Sequence, residues 1–146
     1  MEYSRSIGIE ISVLSNVIKR QGPDRTIRDI TNGLTLTSIQ CWVMGHIRAN
    51  RGEDIFQRDI EIKFNIRRST ASGILRLMEK KGLIKRESVD YDARLKKLVL
   101  TPVAIKMSEK VEQEVAMMEE RLRQGLTLEE QKAFFAILDK IKKNID

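Results

Sequence analysis

Cysteine and histidine are nearly missing from these 146 residues: there is one of each, Cys41 and His46. A single cysteine cannot close a disulfide within the chain and fits a reducing compartment. One of each is too few for a structural zinc site built from Cys and His ligands. A lone histidine also leaves little material for His-based acid–base chemistry. No nucleophile–base pair, phosphate-cradling glycine loop or metal-ligand spacing stands in the sequence, so no enzyme, cofactor or metal site is expected. No stretch approaches the roughly 18 consecutive apolar residues that a membrane span needs. Met1-Glu-Tyr-Ser-Arg-Ser leads into helix-like alternation rather than an apolar signal core, so the expectation is a cytoplasmic chain with no secretory address and no membrane partner. Prolines number only two and glycines eight, while 41% of residues are apolar, enough to bury a core and to argue against disorder.

Acidic residues are scarce in one place. Between Asn65 and Lys97 there are ten basic residues (Arg67, Arg68, Arg76, Lys80, Lys81, Lys85, Arg86, Arg94, Lys96 and Lys97) against four acidic ones, a local charge of +6. The rest of the chain balances at 17 against 17, so the whole formal net charge of +6 lies in 33 contiguous residues. A solvated surface would spread that charge; its concentration points to a polyanionic partner, nucleic acid above all.

The apolar spacing predicts the elements. Ile7, Ile11, Leu14 and Ile18 form one stripe of a first helix that Gly22-Pro23 interrupts or ends. Thr37-Ser-Ile-Gln40 is a capping box opening a second helix, whose apolar face is read as Ile39, Trp42, Val43, His46 and Ile47. A short third helix covers about Gln57 to Phe64, followed by Asn65, a residue that tolerates the left-handed conformation of a tight turn. The fourth runs from about Arg68 to Lys81 and stops at Gly82, with Ala71, Ile74, Leu75 and Met78 buried. The period then becomes that of strands: Leu83 to Ser88, a polar turn Asp90 to Ala93, and Lys97 to Leu100. Thr101-Pro102 reads as an N-cap plus a first-turn proline. A long fifth helix follows, with Ala104, Ser108, Val111, Val115, Met118 and Leu122 in a narrow seam, then a second capping box, Thr127-Leu-Glu-Glu130, and a last helix striped by Phe134, Leu138, Ile141 and Ile145.

This order is a winged helix-turn-helix: a mostly α chain with a small β wing. The expected organisation is a single domain overall, with an N-terminal dimerisation helix in 1–34, the DNA-binding region in 35–101 and C-terminal dimerisation helices in 102–146. The stripes of the first and last helices exceed what a small central domain can cover, so a second copy of the chain is the expected partner. Candidate contacts to double-stranded DNA follow from side-chain chemistry. Arg67 and Arg68 are placed to clamp a phosphate, and Ser69, Thr70 and Ser72 can hydrogen-bond phosphates or base edges. Arg76 can reach a guanine edge or the backbone. Gly73 costs the helix about 1 kcal/mol relative to alanine, which close approach to DNA would explain. In the hairpin, Asp92-Ala-Arg94 is placed at the tip, with Arg94 suited to a narrow minor groove, Asp92 able to orient it, and Lys96 alongside.

These residues resemble the MarR family of bacterial transcriptional regulators. The resemblance is carried by Leu36-Thr37 with Gln40, by Asn65-Ile-Arg-Arg-Ser-Thr-Ala-Ser72, by Met78-Glu-Lys-Lys-Gly-Leu-Ile84, and by Asp92-Ala-Arg94 with Leu98-Val-Leu-Thr101, over about residues 36 to 104. It implies a triangular homodimer acting as a repressor on a palindromic operator, each recognition helix in one half-site and each wing in the adjacent minor groove, Arg94 matching the wing arginine. It also implies a small aromatic effector held between dimerisation helices and winged domain, with Trp42 and His46 in its wall beside residues of the first and fifth helices; read without the resemblance, both simply pack on the core. Arg67 stands where many relatives have a serine N-cap, Phe56 where they have threonine, and Gly73 where they have a longer side chain. Cys41, mid-helix among apolar neighbours, is expected to fill the core rather than to act as a redox switch. A second reading, a winged-helix module for protein–protein contact, would want apolar residues on the outer face of the fourth helix.

Overall fold

In the computed structural model, which describes residues 5–21 and 36–146, six helices and one hairpin follow in the order α1 (Ile7–Gln21), α2 (Ser38–Ala49), α3 (Gln57–Phe64), α4 (Arg68–Lys80), β1 (Ile84–Val89), β2 (Asp92–Leu100), α5 (Pro102–Arg123) and α6 (Leu128–Ile145). Gly22-Pro23, the expected end of the first helix, lies outside the described residues. The chain divides after Val115 into two compact units, Met1–Val115 and Ala116–Asp146.

The first unit holds the core. Met44 and Ile47 of α2, Ile60 of α3, Leu75 and Met78 of α4, Leu83, Ile84, Leu98 and Leu100 around the hairpin, and Ala104, Met107 and Val111 of α5 close on one another. The two strands are antiparallel, Ile84 opposite Leu100 and Arg86 opposite Leu98. A backbone bond from Leu98 N–H to the Ile55 carbonyl, 2.7 Å, ties the linker before α3 to the wing. Cys41 is buried in this core, a small apolar filler as its neighbours suggest.

The face that α2 buries differs from the expected one. Gln40, Cys41, Val43, Met44 and Ile47 point inward, while Trp42 remains 45% exposed and Ile39 and His46 are half-buried. Apolar side chains lie around most of this helix, so 3.6-residue periodicity alone does not single out one face. Its start is as expected: Thr37 Oγ1 accepts from Gln40 N–H, and Gln40 Oε1 accepts from Thr37 N–H at 3.1 Å. Lys81 Nζ donates to the same Gln40 oxygen at 3.1 Å, linking the start of α2 to the end of α4.

One threonine joins α4 to α5. Thr101 Oγ1 donates to the Gly82 carbonyl (2.6 Å) and accepts from Ala104 N–H (3.2 Å), capping α5 in front of Pro102. Arg48 of α2 makes ion pairs with Glu109 and Glu112 of α5. α1 has no buried residue; Ile7, Ile11 and Leu14 of its stripe are exposed. In the second unit, Thr127 and Glu130 form the second capping box, and Gly125, at φ +78°, makes the turn between the helices. Phe134, Phe135 and Ile137 are exposed along α6, with Arg123 stacked 5.8 Å from the Phe135 ring centroid. No helix among the described residues is long and apolar enough to cross a membrane.

Candidate nucleic-acid interface

Helix α3 begins with half a capping box. The Asp59 carboxylate accepts from Phe56 N–H at 2.8 Å, and Phe56 has no oxygen to return the bond. Asn65 ends the helix in the left-handed region, φ 49°, and Ile66 N–H reaches back to the Glu61 carbonyl at 3.0 Å. The chain thus reverses within two residues, and Arg67, in extended conformation, is the N-cap of α4 with no side-chain capping bond. At the other end Gly82, φ +73°, closes a Schellman motif: its N–H bonds to the Glu79 carbonyl and Leu83 N–H to the Met78 carbonyl.

Ala71, Leu75 and Met78 bury the inner side of α4 completely. Its outer side carries Ser69, Thr70 and Arg76, all exposed, with the half-buried Gly73 among them and the exposed Leu77 at the edge. A Cβ at Gly73 would meet nothing within 4 Å, so no intramolecular contact requires glycine there. Arg67 and Arg68 are exposed at the start of the helix. Ser72 is turned to the flank rather than outward: half-buried, its hydroxyl accepts from Gln57 Nε2 at 2.9 Å.

The wing is longer than its alternation suggests. β2 begins at Asp92, not Lys97, and the turn is Asp90-Tyr91, so Asp92 and Arg94 sit just past the tip rather than on it. Ser88 pairs with Lys96 but Val89 with Asp92, so three residues, Ala93 to Leu95, are extra on β2. They form a bulge that pushes Arg94 out of the ladder, its side chain 89% exposed. Asp92 holds that arginine: Oδ1 accepts from Arg94 N–H (2.9 Å) and Nε (3.2 Å), and Oδ2 from a terminal guanidinium nitrogen (3.2 Å). These bonds from the Arg94 side chain, then from its backbone, keep the Asp92 carboxyl below its ordinary range. Lys96 Nζ donates to Ser88 Oγ at 2.6 Å. Asp54 anchors the wing from the α2–α3 loop, accepting from the Tyr91 hydroxyl (3.0 Å) and pairing with Lys97 (3.3 Å). The Tyr91 phenol is shifted up, first by desolvation and then by its bond to Asp54.

Between α3, the start of α4 and β2 lies an open cleft of roughly 460 Å³, lined by the cations Arg58, Arg68, Arg86, Arg94 and Lys96. Among the described residues the only carboxylate in its wall is Glu61, itself paired with Arg58 at 3.4 Å. Across it Gln57 links both helices of the pair to the wing. Its Nε2 donates to Ser72 Oγ and, at 3.4 Å, to the Arg68 carbonyl; its Oε1 accepts from both terminal nitrogens of Arg86 at 3.4 Å. Arg86 also bonds Glu79 at 2.5 Å. Sequence reasoning missed Gln57, because nothing local in Phe56-Gln-Arg58 marks a glutamine whose partners lie 11 to 29 residues away.

Trp42 and His46 come together on a smaller cavity of roughly 230 Å³, mostly apolar, with Cys41, Lys63, Phe64, Val111 and Glu112 also in its wall. The His46 and Phe64 rings meet edge to face at 6.1 Å. α5 contributes to this wall as expected; α1 does not, since none of its residues lines the cavity.

The class of protein defined by this fold is the winged helix-turn-helix transcription regulator. Residues 32–95 match the model of the MarR family. The fold is similar to the MarR transcription regulator of Oenococcus oeni PSU-1 (27% identity, 94% of this chain and 99% of that one, TM-score 0.81). It is similar also to MepR of S. aureus, solved as a complex with DNA (25% identity, 98% and 100% covered, TM-score 0.82). In fold alone it resembles the PcaV transcriptional regulator of Streptomyces coelicolor, solved with its natural ligand (18% identity, 100% and 98% covered, TM-score 0.78). No curated protein matches the chain significantly in sequence.

Proposed function

We propose that this chain is a cytoplasmic, sequence-specific double-stranded DNA-binding regulator of transcription that acts as a homodimer, represses from a palindromic operator, and lies on the nucleoid when bound. The observation that carries the reading is the charge: the entire net +6 falls on residues 65–97, and these supply α4, the wing and four of the five cations around the cleft. Ser69, Thr70, Gly73 and Arg76 form a low, polar surface of the kind that enters a major groove, while Arg67, Arg68, Ser72 and Lys96 serve the phosphates on either side. Arg94, lifted from the ladder by the bulge and held by Asp92, reaches the adjacent minor groove. MepR, similar over nearly the whole chain, has been solved with DNA.

The exposed apolar stripe of α1 and that of α6 each serve dimerisation, which makes 1–34 and 102–146 dimerisation segments and 35–101 the reading head. Trp42 and His46 receive a small aromatic effector, whose binding releases the operator; PcaV, alike in fold, was solved with its natural ligand. Selecting bound fragments from random duplex DNA tests the reading. A two-fold symmetric consensus with half-sites roughly one helical turn apart supports it; no enrichment, together with an affinity indifferent to salt, overturns it.

A further inference from the structure

The hydrogen bonds around Gln57 admit one arrangement of its amide. Arg86 carries only donors and the Arg68 carbonyl only accepts, so Gln57 Oε1 must face Arg86 and Nε2 must face Arg68 and Ser72. The Ser72 oxygen is thereby made an acceptor toward Gln57, at 2.9 Å, and its own proton has to go elsewhere. Among the described residues it is donated to no protein acceptor, and Ser72 lines the cleft where Arg68, Arg94 and Lys96 also stand.

We propose that Gln57 is a positioning residue for DNA binding: by occupying the Ser72 oxygen from within, it turns the Ser72 hydroxyl proton into the cleft to meet a phosphate oxygen. The proposal rests on the DNA-binding reading above. It explains why a neutral hydroxyl sits in a cationic cleft, and why the first residue of α3 is a long amide: a carboxylate there cannot donate to Ser72, and an alkyl chain cannot fix it.

The test is a double-mutant cycle on the full chain with a mixed-sequence duplex of about 30 base pairs, since phosphate contacts contribute to binding whatever the sequence. Gln57→Leu and Ser72→Ala are each expected to weaken binding about five- to tenfold, the scale of one lost hydrogen bond per subunit. The double variant should be no weaker than Ser72→Ala alone. Neither change removes a cation, so the dependence of affinity on salt should keep its wild-type slope. Gln57→Glu keeps length and the Arg86 contact but cannot donate; with it, too, adding Ser72→Ala should cost nothing further. Losses that multiply, an unaltered affinity for Gln57→Leu, or a reduced salt slope would each overturn the assignment. Failure of the wild-type chain to bind any duplex would instead defeat the DNA-binding reading itself.

Discussion

Gln57 and Ser72 are 15 residues apart in sequence and 2.9 Å apart in space, the first residue of α3 donating to a hydroxyl in the middle of α4. The crossing of these two helices is therefore fixed twice: by the packing of Ile60 with Leu75 and Met78 in the core, and by a polar bond at its rim. The rim bond costs little where water competes, but it sets the direction of a side chain, which packing alone does not. Arg86 adds the wing to the same joint.

Arg94→Ala is expected to leave the fold intact, because the side chain is almost wholly exposed and a pair so open to solvent adds little to stability. Duplex affinity should fall, and the slope of log affinity against log salt should become shallower by about 0.9 per subunit. Fluorescence anisotropy over a salt series reads both. An unchanged slope would remove the arginine from the interface.

The Asp92 carboxyl should titrate below an ordinary aspartate, since the bonds from Arg94 favour its charged form. The sign is that of a depressed acid: whatever the pair contributes is present above the unfolded-state value and is lost only as pH falls through the lower, folded one. Following the Asp92 side-chain carbon by NMR should show the depressed midpoint in the wild type and its return toward the ordinary range in Arg94→Ala. Identical midpoints would mean that the two side chains do not pair in solution.

Gly73→Ala separates folding from binding. The added methyl meets nothing within 4 Å and helix propensity favours alanine by about 1 kcal/mol, so thermal unfolding should move up by roughly 3 °C. DNA affinity should fall if the helix lies close against the groove floor. A variant that is both more stable and binds as tightly would show that α4 stands off from the bases.

Glutamates in place of Phe134 and Ile137 on α6 are expected to prevent the proposed homodimer from forming, because a charge is costly to bury in an apolar interface. Sedimentation should show the wild type at twice 16.9 kDa and the variant at that mass. A wild type already at the single mass would leave the stripes of α1 and α6 without the assigned partner.

Much of the fold was legible because its signals are local. The capping boxes at Thr37 and Thr127, the left-handed Asn65 and Gly82, and Thr101 before Pro102 mark helix boundaries through bonds within a few residues. The face of α2 was not legible, since Cys41, Trp42, Val43 and Met44 are all apolar and the choice among them belongs to the neighbours in the core. The wing was read too short because the bulge at Ala93 to Leu95 breaks strand alternation where Arg94 leaves the ladder. The cations of the candidate interface were visible as a charge cluster. Their grouping around one cleft was not, because Arg58 and Arg68 come from helices and Arg94 and Lys96 from a strand that only the tertiary fold brings together.

Thr101 holds the carbonyl of Gly82 and the amide of Ala104 through one oxygen atom. A displacement at the head of α5 therefore cannot be absorbed in a slack connection; it must either break both bonds or be handed to the tail of α4, about 13 residues from where Arg68 and Ser69 begin. Because Gln57 holds the start of α4 to α3, a shift entering at Gly82 reaches α3 along with the recognition helix instead of stopping in the turn.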